Sequence, residues 1–215
     1  GNSVYELLKS GYLPIVLGGG HETAYGHFLG IHRFLKERRK QVCIVNIDAH
    51  FDLRHYSVEG NSGTPFLQIA ELLATDRYPF RYMALGINES SNTKALFDTA
   101  NDMNTRWLSN QQVHTFDSAQ LAQQLEQFLA QGAVTYLSID LDAVQEAFAP
   151  GVSAPGSFGI MPCELFDLTR KIVGFSSVIG IDVVELNPQF DADNRTARLA
   201  AQVIYQTVMQ IITKK

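Results

Sequence analysis

The composition indicates one globular domain with a sizeable core and excludes several partner classes. The 215 residues are 46% hydrophobic and 18% charged, which is enough apolar material for a single α/β domain spanning 1–215. Seventeen basic and 22 acidic residues leave a net charge of −5 without a basic block, so we expect neither nucleic acid nor a membrane surface as a partner. The longest clean apolar stretch, 172–181, is about half of what a bilayer-crossing helix needs.

Cysteine usage and the first residues predict a cytoplasmic location. Cys43 and Cys163 lie far apart and form no CxxC pair, which excludes a disulfide framework and fits a reducing compartment. The opening sequence GNSVYELLKS lacks the basic and apolar regions of a signal peptide. We therefore expect a cytoplasmic protein.

The order of sequence patterns predicts an α/β fold. Short β-branched runs alternate with longer helical patterns, which is typical of βαβ units and a parallel sheet buried on both faces. Strands are predicted at 14–17, 42–47, 82–85, 113–116, 134–139 and 178–183. Helices are predicted at 23–38, 64–73, 93–102, 118–130, 164–173 and 196–212. The Gly- and Pro-rich stretch 149–159 is interpreted as an ordered loop of the active site.

The clearest candidate site follows the second predicted strand. In CIVNIDAHFDLR an apolar run leads into Asp48, His50 and Asp52 at two-residue spacing. If the chain stays extended there, the three side chains point the same way. The alternative is a strand followed by an Asp-rich turn, because Asp is common in turns.

Two further segments bring metal-ligating residue types to the same edge of the sheet. TYLSIDLDAV places Asp140 and Asp142 two residues apart at the end of a strand, and in PIVLGGGHETAYGHF three glycines precede His21. Ligands bind at the carboxyl ends of the strands in open α/β sheets. Converging acids repel one another, so this pattern favours a bound cation over a carboxylate pair that shares a proton.

The glycine segment does not fit the common alternatives. GGGHET lacks the third glycine of a dinucleotide-binding loop and the GK[ST] of a phosphate-binding loop. His21 and His27 are six residues apart, about 240° around a helix, so they cannot form a zincin pair. We expect His27 to be structural or exposed.

The candidate ligands favour a site for two manganese ions. Oxygen-rich ligand sets with some imidazole suit Mn²⁺ and similar divalent ions, and no cysteine is placed to favour thiolate-bound zinc. Six ligands are many for one ion and about right for two ions that share bridging carboxylates. We predict two Mn²⁺ per chain, held by His21, Asp48, His50, Asp52, Asp140 and Asp142.

Three motifs resemble the metal signatures of the ureohydrolases, the arginase and agmatinase family. They are GGGHE, DAHFD and SIDLD, in this order, and the segments GTPFLQI from Gly63 and GIDVVELNPQFD from Gly180 also resemble blocks of that family. The resemblance implies a three-layer α/β/α fold with a mostly parallel central sheet. It also implies that the N-terminal strands of the family are missing from this chain, which would leave one sheet edge uncovered.

The resemblance also implies roles for individual residues. One Mn²⁺ would be held by His21, Asp48, Asp52 and Asp140, and the other by His50, Asp48, Asp140 and Asp142. Asp52 would take up a proton during the reaction, and Glu185 would receive the amidine or guanidine group of the substrate. The alternative for Glu185 is an acid that caps local backbone beside Asn187 and Pro188.

Finer features of the motifs predict the reaction. Within the family, DLR after the DAH motif, SGTPF and APGVSAP most resemble the formimidoylglutamase branch. The implied activity is hydrolysis of a small molecule, N-formimino-L-glutamate, to L-glutamate and formamide in histidine degradation. Arginases and agmatinases carry a proton-shuttling His where this chain has Asn61 and Ser62, which counts against them. The alternatives are agmatinase or another guanidino-compound ureohydrolase, and a fragment that binds metal without turnover; assembly into a homo-oligomer stays open.

Arg54 is the residue expected to select the substrate. It lies two residues after Asp52, so we expect it to project into the same pocket. N-formimino-L-glutamate carries two carboxylates, whereas agmatine carries none and ends in an amine, so a guanidinium here favours the former. The alternative is a surface ion pair between Arg54 and Glu59 or another acid.

Overall fold

The chain folds around one parallel β-sheet. The computed structural model describes residues 1–214, and within them no helix is long and apolar enough to cross a membrane. The strands of these residues are β1 (Ile15–Leu17), β2 (Val42–Ile47), β3 (Tyr82–Ile87), β4 (Arg106–Ser109), β5 (Val134–Asp140) and β6 (Val178–Val184). The α-helices are α1 (Asn2–Lys9), α2 (Thr23–Lys36), α3 (Pro65–Thr75), α4 (Lys94–Asp102), α5 (Asn110–Thr115), α6 (Ser118–Leu129), α7 (Pro162–Phe175) and α8 (Arg195–Thr213).

The strand order creates a crevice between β2 and β5. All neighbouring strands are parallel, and their order is β1-β6-β5-β2-β3-β4. The chain therefore continues from β2 toward one edge of the sheet and from β5 toward the other. Such a reversal leaves a crevice at the carboxyl ends of the two strands, where ligands bind. Asp48 directly follows β2 and Asp140 ends β5, so both acidic motifs reach this crevice.

Helices cover both faces of the sheet and enclose two hydrophobic cores. On one face Val45 of β2 and Leu137 of β5 pack with α6, α7 and α8. On the other face Ile44 and Tyr136 of the same strands pack with α1, α2, α3 and α4. Alternate strand residues point to opposite faces, which is why every residue of β2 is buried. The predicted three-layer α/β/α architecture is confirmed.

One predicted strand is wrong. The sequence predicts a strand at 113–116, but these residues lie mostly in α5, and the strand β4 precedes them. The cause is a capping box: the Ser109 Oγ accepts from the Gln112 N–H at 3.1 Å, and the Gln112 side chain accepts from the Ser109 N–H at 2.8 Å. A capping box begins a helix. Helix α1 was also not predicted, whereas the other predicted elements are confirmed with ends that shift by up to two residues.

Strand β1 lies at an edge of the sheet within residues 1–214. It pairs only with β6, and its last residue, Leu17, is 71% exposed. Unpaired strand edges are prone to association with other chains. The expectation that further strands of the family would cover this edge stays a prediction.

Gly30 allows α1 to approach α2, the helix that follows His21. A Cβ at Gly30 would lie 2.7 Å from the Val4 Cβ, whereas a Cβ at Gly26 would have no atom within 4 Å. Alanine is better than glycine inside a helix by about 1 kcal/mol, so Gly26→Ala should raise the free energy of unfolding. Gly30→Ala should lower it by about 1–3 kcal/mol, because the added methyl overpacks the helix contact. Urea unfolding measures both; an equal rise in both variants would show that α1 does not pack closely at Gly30.

Candidate metal centre

The segment after β2 turns instead of staying extended. Strand β2 ends before Asp48, and Asp52 has a positive φ of 51°, which is uncommon for a residue with a side chain. The extended chain that would point Asp48, His50 and Asp52 the same way is therefore not formed, and the alternative of a turn after the strand describes the backbone. The turn brings Asp48 and Asp52 to His21, while His50 faces the other side of Asp48.

Buried polar side chains hold the backbone of this turn. The Asn92 Oδ1 accepts from the Phe51 N–H at 3.1 Å, and its Nδ2 donates to the Ala49 carbonyl at 2.9 Å. The Tyr82 hydroxyl donates to the Phe51 carbonyl at 2.9 Å. These bonds satisfy backbone groups that are buried away from water. They fix the turn at Ala49 and Phe51, directly before the left-handed Asp52.

Carboxylates converge on the ring of His21. Three oxygens lie 2.9–3.1 Å from its Nδ1: Asp48 Oδ2, Asp52 Oδ2 and Asp140 Oδ2. One ring nitrogen carries at most one proton, so it cannot donate to three carboxylates. In the described part of the chain this Nδ1 makes no hydrogen bond of acceptable geometry. All four side chains are buried, and the arrangement is that of ligand atoms around a cation.

A hydrogen-bond chain sets the tautomer of His21. The Ser138 hydroxyl donates to Asp182, so its oxygen accepts from the His21 Nε2–H at 2.8 Å. Asp182 is wholly buried and also accepts from the Tyr136 hydroxyl and from the His27 Nδ1, the latter at 3.0 Å. In the neutral ring the proton lies on Nε2 and the Nδ1 lone pair faces the carboxylates, as in histidines that bind metal. His27 is therefore structural, as expected.

A second group of ligand atoms shares Asp48 with the first. The His50 Nδ1 lies 3.1 Å from the Asp142 Oδ2 and 3.4 Å from the Asp48 Oδ1. The Asp142 Oδ1 is buried without a partner among residues 1–214. At these distances Asp140 belongs to the first group, and its sharing between two ions stays a prediction. The six predicted ligand side chains thus lie in two adjoining groups.

The electrostatics of the metal-free centre fit divalent cations. Burial and the charge of Asp48 raise the pKa of Asp52 to about 7. Burial and the charges of Asp142 and Asp48 raise the pKa of Asp140 well above its usual range. Burial lowers the pKa of His50, but hydrogen bonds to Asp142 and Asp48 outweigh burial and raise that pKa to about 12. Each shift reflects an excess of buried negative charge, which two divalent ions on this donor set would balance.

A cavity of about 180 Å³ opens onto the carboxylates. It is smaller than the ~300 Å³ at the lower end of sites for drug-sized ligands, and it suits a small polar molecule. Its walls include, besides the acids, Arg54, Ser62, Gly63, Ser153, Ala154 and Glu185. The predicted substrate-binding residues therefore face the same space as the predicted metal ligands.

Glu185 is held at the cavity wall by contacts from distant parts of the chain. Its backbone is left-handed, with φ of 67°, and its N–H donates to the Gly19 carbonyl at 2.7 Å. Its Oε1 accepts from the His21 backbone N–H at 2.8 Å. Left-handed residues with side chains cluster at functional sites. The alternative in which Glu185 caps backbone beside Asn187 is wrong, because its carboxylate reaches His21 instead.

Arg54 lies across Gly63 at the wall of the cavity. A Cβ at residue 63 would lie 2.7 Å from the Arg54 Cδ, so glycine leaves room for the arginine side chain. The Arg54 N–H donates to the Gly63 carbonyl at 2.9 Å. Among the ion pairs of residues 1–214 none involves Arg54, so the alternative pair with Glu59 is not formed.

Several polar residues of the site were not identified from the sequence. They are distant from the ligand motifs along the chain, or differ little from ordinary strand and loop residues: Asn46, Tyr82, Asn92, Tyr136, Ser138 and Ser153. One usable signal exists for Asn46 and Ser138. Both are polar residues inside strands that are otherwise apolar and buried, and such groups need a buried partner.

Known proteins resemble the chain along almost its whole length. The model of the arginase family matches residues 1–210. The chain belongs to the arginase family. It is 42% identical to the formimidoylglutamase of Chromobacterium violaceum over 205 residues. The aligned region makes up 95% of this chain and 65% of that protein. This arginase-family chain therefore spans about two thirds of the length of that relative.

Solved structures share the fold of this arginase-family chain. The formimidoylglutamase from Bacillus subtilis superposes with a TM-score of 0.86 at 25% identity, over 98% of this chain and 65% of that chain. A formiminoglutamase from Trypanosoma cruzi with Mn²⁺ superposes with a TM-score of 0.86 at 26% identity, over 100% of this chain and 70% of that chain. The predicted family and the predicted fold are confirmed.

Without metal, this arginase-family chain should lose stability as the pH rises. The pKa of Asp52 is about 7 in the folded chain and about 3.9 in an unfolded one. The unfolded state therefore releases this proton first, and stability falls between about pH 4 and pH 7. The pKa of His50 is about 12 in the folded chain and about 6.5 in an unfolded one. Above about pH 6.5 the unfolded state therefore also releases this proton first, and stability continues to fall. Unfolding of EDTA-treated protein should show a loss on the order of 2 kcal/mol from pH 5 to 7.5.

Two comparisons control this measurement. Asp52→Asn should reduce the dependence of stability on pH below pH 7, because the carboxyl group that titrates there is removed. Added Mn²⁺ should reverse the slope, since metal binding requires deprotonated ligands and strengthens as the pH rises. A metal-free protein that gains stability from pH 5 to 7.5 would contradict the burial of these acids.

Proposed function

We propose that the chain is a binuclear manganese hydrolase that converts N-formimino-L-glutamate and water to L-glutamate and formamide, a reaction of histidine degradation. The observation that carries the proposal is the cavity in which four of the six candidate ligands, His50, Asp52, Asp140 and Asp142, share the wall with Arg54 and Glu185. The names of the relatives, formimidoylglutamase in Chromobacterium violaceum and in Bacillus subtilis, support the same reaction.

Two Mn²⁺ are the proposed cofactors. The proposed ligands are His21, Asp48, Asp52 and Asp140 for one ion, and His50, Asp48, Asp140 and Asp142 for the other. Carboxylate-rich sets with imidazole suit manganese, and the Trypanosoma cruzi relative is described with Mn²⁺. When bound, such ions lower the pKa of water and supply a nucleophile at neutral pH.

The residues of the chain hold the substrate at both of its ends. The Glu185 carboxylate accepts N–H groups of the positively charged amidinium, and the Arg54 guanidinium donates a planar fork to a substrate carboxylate. These two opposite charges line one small cavity, so they orient the formimino carbon relative to the acids. Asp52 lies on the same wall and takes up the proton that the attacking water loses.

The proposed location is the cytoplasm. Cys43 is buried, Cys163 is exposed, and both are unpaired, which suits a reducing compartment. The proposed partner is the small-molecule substrate.

Metal content and turnover test the proposed function. After reconstitution the chain should bind about two Mn²⁺ and should hydrolyse N-formimino-L-glutamate faster than agmatine, arginine or 4-guanidinobutyrate. Asp48→Ala should lose more metal than Asp142→Ala, because Asp48 contributes to both ligand groups. Elemental analysis that returns one zinc and no manganese would contradict the binuclear centre. Two bound Mn²⁺ without turnover would support the alternative of a metal-binding fragment that lacks part of the enzyme.

Replacement of Arg54 tests the substrate assignment. Arg54→Leu should lower kcat/KM for N-formimino-L-glutamate by roughly 30- to 100-fold, the effect of losing a charge-assisted bidentate contact. Metal content should not change, because Arg54 belongs to neither ligand group. Arg198→Leu, on the exposed side of α8, is the matched control and should keep full activity. Unchanged kinetics in Arg54→Leu, or better turnover of agmatine by the wild type, would refute this substrate.

A further inference from the structure

The Glu185 carboxylate receives one fixed donor on each oxygen. Its Oε1 accepts from the His21 backbone N–H at 2.8 Å, and its Oε2 accepts from the Ser153 hydroxyl at 2.7 Å. Glu185 itself is 8% exposed. Each carboxylate oxygen has two lone-pair directions, so one direction on each oxygen stays available toward the cavity. Two parallel acceptors of this kind match the two N–H groups of a planar amidinium.

The two donors differ in how they are attached to the fold. The His21 N–H is a backbone group two residues before α2, so every substitution except proline keeps it. Ser153 belongs to the loop 149–159, and with Ala154 it contributes to the wall of the cavity beside Glu185. Ser153 is therefore the donor through which this loop controls the direction of the Glu185 carboxylate.

The loop is anchored close to Ser153 by the beginning of α8. The Gly151 N–H donates to the Thr196 Oγ1 at 2.8 Å, and Thr196 is wholly buried. The Gly151 carbonyl accepts from the Asn187 N–H at 2.8 Å. A Cβ at residue 151 would lie 2.5 Å from the Asp191 Cβ, so the loop rests directly on this segment. The hydroxyl of Ser153 thus lies two residues from a fixed point.

We propose that Ser153 is a positioning residue that holds Glu185 in the orientation that binds an amidinium group. This inference rests on the proposed function and deepens it, because it assigns the orientation of the amidine subsite to the loop 149–159. Without the Ser153 hydroxyl, the Oε2 of Glu185 loses its fixed donor, and the carboxylate rotates away from the bidentate arrangement. The metal ligands keep their contacts, because Ser153 contacts none of them by hydrogen bond.

Binding of formamidinium, the charged head of the substrate, provides a test that does not depend on turnover. In Ser153→Ala the dissociation constant of formamidinium, measured by calorimetry, should rise on the order of tenfold, the effect of losing one hydrogen bond to a charged group. KM for N-formimino-L-glutamate should rise by a similar factor with unchanged Mn²⁺ content. Ser153→Thr keeps the hydroxyl and should restore most of the affinity.

Two controls separate positioning from a general effect on the loop. Ser157 lies in the same loop and donates to Glu146 at 2.9 Å on the surface, so Ser157→Ala should bind formamidinium like the wild type. In a Glu185→Gln background, Ser153→Ala should have no further effect, because Ser153 acts through Glu185.

The outcomes distinguish this inference from the proposed function. If the wild type hydrolyses N-formimino-L-glutamate and Ser153→Ala binds formamidinium equally well, Ser153 does not position Glu185. Loss of Mn²⁺ in Ser153→Ala would also overturn the positioning role. So would an equal loss of formamidinium affinity when Ser153→Ala is introduced into the wild type and into Glu185→Gln. A wild type that turns over agmatine but not formiminoglutamate would refute the proposed substrate, whereas weaker formamidinium binding by Ser153→Ala would still support the inference.

Discussion

Repulsion among four buried carboxylates is the constraint on which the rest of the structure depends. Asp48, Asp52, Asp140 and Asp142 are all less than a tenth exposed. Two like charges 4 Å apart repel by about 4 kcal/mol at an effective dielectric constant of 20. The repulsion follows from the strand order, because the reversal between β2 and β5 brings two acidic strand ends to one crevice. A fold that accepts this arrangement gains stability when cations bind, so metal binding and folding are coupled.

Uncharged amide and hydroxyl groups donate hydrogen bonds to the buried acids and to the backbone beside them. They bring no positive charge that would replace a bound cation. The Asn46 side chain donates to Asp48 at 2.8 Å, and Asn92 and Tyr82 hold the turn backbone. Asp182 is a buried acid outside the ligand groups, and the hydroxyls of Ser138 and Tyr136 donate to it. Buried ionised groups are tolerated when their hydrogen-bonding capacity is met. Within the two ligand groups, His21 Nδ1 and Asp142 Oδ1 are buried without a hydrogen-bond partner among residues 1–214, and both lie where ligand atoms meet.

The walls of the cavity add charges of opposite sign at two separate places. The chain carries a net charge of −5, so long-range steering gives no help to an acidic substrate. Arg54 supplies a local cation, and Gly63 leaves the space that its side chain occupies. Glu185 supplies the anion; the Gly19 carbonyl holds its left-handed backbone, and the His21 N–H holds its carboxylate. The two charged side chains that the proposed function assigns to substrate binding therefore lie outside the ligand groups.

The sequence by itself determined the α/β class and most of the strands and helices, and it singled out the six candidate ligand side chains that the fold brings together. These features leave local signals: β-branched runs bounded by turns, and acids at two-residue spacing after apolar strands, as at Asp140 and Asp142. The apolar pattern of 113–116 predicts a strand, but the capping box of Ser109 and Gln112 begins a helix there. Tertiary structure alone decided which strands meet, and thus that Asp48 lies between both ligand groups. It also decided the contacts of Asn92, Asp182 and Ser153, because hydrogen bonds between residues far apart in the chain leave no periodic pattern in the sequence.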